Sequence, residues 1–160
     1  QMPDLSRKYP NYSDFAGKTV VDLLGKEKIW NSNVKKAVLF ESCLFVNNGD
    51  GTFSTKKLPV TSQFSTINDI LAEDFNSDGS PDLLLVGNNY QERPSLGRQD
   101  ASFGWCMLGN NNREFKTLTP IQSGFKVKGD SRKIIGIQIA EKRHLVIGVN
   151  NSELQTFQVH

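Results

Sequence analysis

From about residue 39 onward, apolar and polar residues follow one another in short runs bounded by Gly, Asn and Asp. Segments such as "DILAEDF", "DLLLVGN", "GWCMLGN" and "EFKTLT" have the length and the β-branched, apolar content of short strands. The segment "NNGDGTF" reads as a tight hairpin, because Asn-Gly and Asp-Gly steps tolerate the positive φ angles that such turns need. Before residue 39 the pattern is different. "SDFAGKTVVDLLG" places Phe15, Val20, Leu23 and Leu24 near one helical face, with Ser13 as N-cap and Gly25 as C-cap. "KEKIWNSNVKKAVLF" continues with Ile29, Trp30, Val34, Ala37 and Val38 at helical spacing, then enters a strand over Leu39–Val46. The expectation is a helical segment over residues 1–38 that covers an edge or end of the β-structure formed by residues 39–160, in one compact domain overall.

The strand-bearing part repeats itself. "CLFVNNGDGTF" superposes on "CMLGNNNREF", Cys43 on Cys106 and Phe53 on Phe115, at offsets of 63 and 62 residues. "LLLVGNN" matches "LVIGVNN" at 62, Leu83 on Leu145. Two independent matches at one period imply a structural unit of about 60 residues, the length of a few stacked strands. Each copy reads strand, connector, strand, insert, strand, turn, strand. Four strands per copy predict a blade of a β-propeller. The chain thus reads as mainly β: a partial β-propeller of four-stranded antiparallel blades, about two and a half repeats, with an N-terminal helical segment.

Composition narrows the functional classes. The chain has 160 residues, 37% hydrophobic and 22% charged, enough for an ordinary core. With 19 Lys and Arg against 17 Asp and Glu, it has no basic excess to serve a nucleic-acid surface. Membrane insertion by this segment is not expected, because no apolar stretch approaches the roughly 20 residues of a membrane span. The N-terminal "QMPDLSRKYPNYSDF" lacks the apolar middle of a secretion signal, and a start at Gln1 suggests that any leader or anchor lies outside this chain. Cys43 and Cys106 form no CxxC cluster. Face-packed sheets lie about 10 Å apart, beyond disulfide reach, so equivalent positions in successive copies predict two buried free thiols.

The chemistry concentrates in "DFNSDGSPD". Asp74, Asn76, Asp78, Ser80 and Asp82 stand at alternate positions of nine residues. Three carboxylates at that density repel unless a cation or solvent offsets them, so the segment is either a metal loop or a hydrated Asx-type turn. The metal reading gives Asp74, Asn76 and Asp78 as side-chain ligands, Ser80 as a backbone carbonyl ligand and Asp82 as the closing ligand, with Gly79 freeing the backbone to wrap. Oxygen-only ligation in a flexible loop favours calcium over magnesium, and the site would be structural, since the loop fills every position. In "NNGDGTF" only Asp50 is charged, and that segment reads as a turn.

"LAEDFNSDGSPDLLLVGN", preceded by "LFVNNGDGTF", resembles the FG-GAP or VCBS repeats of integrin-type β-propellers, in which a D-x-[DN]-x-D-G-x-x-D loop joins two strands. The wider order of segments is similar to the C-terminal repeats of bacterial surface or secreted VCBS proteins related to the cartilage acidic protein (ASPIC/UnbV) group. The resemblance spans roughly residues 39–159 and is carried chiefly by the acidic loop. It implies an extracellular or cell-surface location. The last copy departs from it, with "AEKRH", Ala140–His144, in place of the acidic loop.

The remaining candidates are sparse. His144 and His160 are the only histidines, and neither has a visible catalytic partner. The insert over residues 88–104 is long for a hairpin connection and offers Tyr90, Arg93 and Arg98 as a partner-binding surface, with an Arg98–Asp100 pair expected to staple it down. Trp30 and Trp105 read as core aromatics rather than sugar platforms. Two functions follow as expectations. The first is a non-enzymatic, calcium-stabilised module that binds a protein or glycan, with self-association as a way to cover exposed edges. The alternative is the scaffold portion of a propeller-bearing polysaccharide lyase or hydrolase.

Overall fold

A computed structural model describes residues 3–159 of the chain. His160 therefore lies outside the described residues. The chain divides into two compact units, Gln1–Phe40 and Glu41–His160.

The described residues of the first unit carry four short helices, α1 (Pro3–Lys8), α2 (Tyr12–Phe15), α3 (Val20–Leu24) and α4 (Lys26–Trp30). The single helix expected from Ser13 to Gly25 is broken at Gly17, whose φ of 74° is left-handed. The chain restarts at Thr19, which caps α3 by accepting the Asp22 N–H while Asp22 returns the bond, so a reciprocal cap replaces Ser13 as the start signal. Gly25 does end α3, as expected. Helical spacing beyond Trp30 does not become helix, and residues 33–40 have no regular structure. Trp30 is 90% exposed, not a core aromatic, because helices of one turn present too little surface to bury it and α2, α3 and α4 bury no side chain.

Among the described residues the second unit has nine strands in three sheets, every pairing antiparallel. β1 (Cys43–Asn47) and β2 (Phe53–Lys57) form the first sheet. The central sheet runs in the order β3 (Ile67–Glu73), β4 (Asp82–Gly87), β5 (Trp105–Gly109) and β6 (Phe115–Leu118). β7 (Ser131–Ile139), β8 (Lys142–Val149) and β9 (Gln155–Gln158) form the third. The mainly β expectation agrees with this. Among the described residues only the central sheet has four strands, and the sheets close into neither a barrel nor a ring.

Pairing registers recur from sheet to sheet. Ile70 faces Leu85 and Leu71 faces Leu84, as Ile134 faces Ile147 and Ile135 faces Val146. An irregularity falls at the same step in each pair, between Ile67 and Asp69 and between Ser131 and Lys133. The third strand follows suit, since Leu84 faces Cys106 where Val146 faces Thr156. The β1–β2 and β5–β6 hairpins also match, with Asn47 opposite Phe53 and Gly109 opposite Phe115.

These equal hairpins correct the cysteine alignment. The Asn48 N–H donates to Thr52 O at 3.0 Å and the Asn110 N–H to Glu114 O at 3.1 Å, so the offset is a uniform 62 and Cys43 stands on Trp105, not on Cys106. Superposing both the cysteines and the Asn pairs required a gap that loops of equal length do not contain. Both thiols are free, Cys106 buried and Cys43 half-buried.

Because alternate residues of a strand point to opposite faces, the central sheet packs on both sides. Leu84, Val86 and Cys106 meet Ile134, Leu145 and Ile147 of the third sheet, together with Phe125 and Val127. On the other face Leu85 and Met107 meet Leu58, with Trp105 and Phe115 packed around them. Trp105 thus takes the core position expected of it, edge-on to Phe64 at 6.2 Å.

Candidate functional site

The acidic connector joins β3 to β4 in the central sheet, between Glu73 and Asp82. Two left-handed residues, Ser77 at φ 60° and Gly79 at φ 86°, fold it tightly enough for its side chains to reach its own backbone. Asp74 accepts the N–H groups of Asp78 at 3.2 Å and Gly79 at 2.9 Å. Asn76 accepts from the Asp78 N–H at 3.0 Å and donates through Nδ2 to Asp78 Oδ2 at 2.8 Å. Asp78 Oδ1 in turn accepts the Ser80 N–H at 2.8 Å. These bonds to Ser80 and Asn76 hold the exposed Asp78 carboxyl below its ordinary pKa.

Asp82 and Ser80 belong to the interior. Asp82 is fully buried, with Oδ1 accepting the Gly109 N–H at 2.8 Å and Oδ2 the Phe75 N–H at 3.0 Å. It ties the connector to the third strand of its own sheet. The site there is close-packed, for a Cβ added at Gly109 would lie 2.1 Å from Pro81 O. Ser80 is buried and donates to Asn111 Oδ1 at 3.2 Å.

All five expected ligand residues thus lie in one hydrogen-bonded loop. Its donors are oxygen only, which suits a hard cation, and a carboxylate oxygen that accepts one N–H retains a second lone pair. Among the described residues no group of three or more His, Cys, Asp and Glu side chains is gathered as a metal cage. As described, the loop offsets its charge with backbone N–H groups, in the manner of linked Asx turns.

The equivalent connector in the third sheet is a turn of two left-handed residues, Ala140 at φ 45° and Glu141 at φ 66°. There His144 lies within β8 rather than in a loop, opposite Ile137 as Asp82 is opposite Glu73. It is half-buried, and its Nδ1 lies 3.0 Å from Lys142 O. The Asp50 loop is a hydrogen-bonded hairpin, in which Asp50 Oδ1 accepts the Thr52 N–H at 2.9 Å.

In the long insert Arg98 does not pair with Asp100. Its guanidinium carbon lies over the Tyr90 ring, 4.9 Å from the centroid, a cation–π contact that Asp100 cannot offer. Tyr90 is half-buried, whereas Arg93 and Arg98 are exposed. What anchors the insert was missed in the sequence. Asn88, buried at φ 81°, accepts from Ser65 Oγ at 2.8 Å and the Ser102 N–H at 3.1 Å, and donates to Ser102 O at 2.8 Å and Gly129 O at 3.0 Å. The signal that could have found it is the Asn shared by the two copies, since the Asn88 N–H bonds Thr66 O just as the Asn150 N–H bonds Asp130 O.

Comparison of the chain with protein-family models, curated proteins and solved structures finds no match.

Proposed function

We propose that the chain is a non-enzymatic β-sheet-repeat module of the FG-GAP or VCBS propeller type, stabilised by calcium, that binds a protein or glycan at the cell surface or outside the cell. The observation that carries this reading is the shared register of two successive strand pairs, one joined by an oxygen-rich acidic connector and the other by a two-residue turn. Three sheets packed face to face in chain order are the expected arrangement for successive propeller blades. A groove of about 510 Å³ lined by apolar and neutral side chains, Leu84, Cys106, Leu118 and Phe157 among them, offers surface for apolar contact with a partner.

Calcium would supply positive charge between Asp74, Asp78 and Asp82, with Asn76 and the Ser80 carbonyl completing an oxygen shell. The protein's own part is to orient those oxygens, which the N–H groups of Phe75, Asp78, Gly79, Ser80 and Gly109 do. The insert carrying Tyr90, Arg93 and Arg98 is the proposed partner-facing loop, because its arginines are exposed while its base is fixed by Asn88.

The experiment is a melting curve in chelator, in millimolar magnesium and in millimolar calcium, for the natural chain and for Asp78→Asn. Calcium at about 100-fold above its dissociation constant raises stability by roughly 2.7 kcal/mol, and magnesium by less. A melting temperature that ignores calcium, or rises equally in the variant, defeats the calcium assignment. A glycan and protein binding screen with Arg93→Ala and Arg98→Ala tests the loop.

A further inference from the structure

Burial alternates along the segment that follows α5 (Pro120–Ser123). Phe125 and Val127 are buried, whereas Lys126 and Lys128 are exposed. That two-residue period is the pattern of an extended chain, so both ammonium groups leave one side of it, with backbones about 6.6 Å apart. The backbone is fixed as well. The Val127 N–H donates to Phe103 O at 2.7 Å, the Lys128 N–H to Gln155 Oε1 at 3.0 Å, and Gln155 Nε2 to Lys128 O at 2.7 Å.

The same segment lies against the base of the long insert, with Val127 bonded to Phe103 and Gly129 to Asn88. Lys126 Nζ stands over the Phe103 ring, 5.5 Å from its centroid, as Arg98 stands over Tyr90. A ring orients a cation through its quadrupole without neutralising it. Among the described residues Arg93, Arg98, Lys126 and Lys128 form no salt bridge, whereas Lys57, Arg132, Lys133 and Arg143 each do. Of the insert's two acids, Glu92 accepts from Asn89 Nδ2 at 2.9 Å, and Asp100 is exposed. The insert also exposes Leu96 and Phe103.

We infer that Lys126 and Lys128, with Arg98 and the exposed part of the Phe103 ring, form a docking surface for an extended acidic polypeptide segment whose carboxylates recur at every second residue. Alternate side chains of such a segment leave one side at the same step as the two lysines, so two carboxylates meet two ammonium groups in register. The planar Arg98 guanidinium offers paired N–H donors to a further carboxylate. Phe103 and Leu96 give the aliphatic stems of acidic side chains an apolar contact. A ring face that already carries a cation is not open for a sugar or a base to stack on, which favours a polypeptide over a glycan or a nucleic acid. Asp100 opposes the binding by like charge. The inference rests on the reading of the insert as the partner-facing loop and not on calcium.

The test uses the full chain and two capped peptides, Glu-Thr-Glu-Thr-Glu-Thr and Glu-Thr-Thr-Glu-Thr-Thr-Glu, which carry equal charge at two-residue and three-residue spacing. The first is expected to bind saturably, with amide shifts at residues 98–104 and 125–129, and the second at least about fivefold more weakly. Lys126→Ala combined with Lys128→Ala weakens binding of the first peptide at least about fivefold and leaves the melting temperature unchanged, because both side chains are exposed. Asp100→Asn strengthens it. No saturable binding, equal binding of the two peptides, shifts elsewhere, or a lysine variant that binds as well as the natural chain overturns the inference. So does tighter, lysine-dependent binding of polygalacturonate, which gives the surface to an acidic glycan. A partner from the wider screen that is lost with Arg98→Ala but kept by the lysine variant preserves the partner-facing insert, and only this inference falls.

Discussion

Asp69 and Lys133 hold the same position in two successive strand pairs and bind each other across the sheet boundary, with Lys133 Nζ 3.1 Å from Asp69 Oδ2. The same carboxylate accepts the backbone N–H of Ile134 at 2.9 Å. The more sheltered partner carries more of the effect. Asp69→Ala leaves that N–H without its acceptor and costs about 1–3 kcal/mol. Lys133→Ala, at an exposed ammonium, costs less than about 1 kcal/mol. Urea unfolding of the two variants should separate them, and equal losses would refute the division of roles.

Asp69 also predicts an acid response. Burial raises its carboxyl, but the Ile134 N–H and then Lys133 outweigh this and leave it lowered. A carboxyl lower in the folded chain than in the unfolded one stabilises above its unfolded pKa, and that contribution is lost as pH falls through the folded value. Stability should therefore fall on acidification below the ordinary carboxylate range, and Asp69→Asn should flatten the slope there. Asp78 and Asp50 are lowered too, through bonds to Ser80 and Thr52 respectively, so Asp69 accounts for part of the slope only.

Asp82→Ala is expected to be among the most damaging single changes in the connector. It strips the Phe75 and Gly109 N–H groups of their acceptor in a buried setting, at about 1–3 kcal/mol for each. Asp74→Ala, at an exposed position, should cost less in chelator. Denaturant midpoints without calcium read the difference.

The two thiols should react at different rates. Burial, and after it the negative charge of Asp82, push the Cys106 thiol up to about 11, so little thiolate forms at neutral pH. Cys43 is half-buried. A disulfide reagent followed by mass spectrometry should label Cys43 in the folded chain and Cys106 only on unfolding. Simultaneous labelling would contradict the packing of β5.

Asn88 separates backbone from side chain. Its φ of 81° costs an ordinary residue about 1 kcal/mol, whereas glycine adopts it freely. Asn88→Gly should lose only the bonds to Ser65, Ser102 and Gly129, and Asn88→Ala should fall lower still by about that 1 kcal/mol. Thermal melts of both variants give the comparison.

The strands were legible because alternation and turn residues are local: "DILAEDF" and "DLLLVGN" became β3 and β4, and the Asp50 loop became a hairpin. The repeat could be read from Leu83 and Leu145, although the chance likeness of two cysteines pulled one hairpin out of step. Less legible were features that depend on partners far along the chain. The helical spacing around Gly17 looked continuous until a left-handed glycine divided it. Nor does sequence proximity reveal that Arg98 prefers the Tyr90 ring to Asp100, or that Asn88 gathers bonds from Ser65 to Gly129. The acidic connector stands between these extremes. Its residue types announced a tight, polar loop, while its hydrogen bonds appear only once Ser77 and Gly79 have folded it.

Glu73 and Asp82 mark the mouth of the long connector, and Ile137 and His144 mark the corresponding place above the two-residue turn. One molecule thus contains its own experimental control. Exchanging the connectors between these fixed endpoints leaves both strand frameworks in step, so any ion response that moves with the graft belongs to the loop and not to the sheet that holds it.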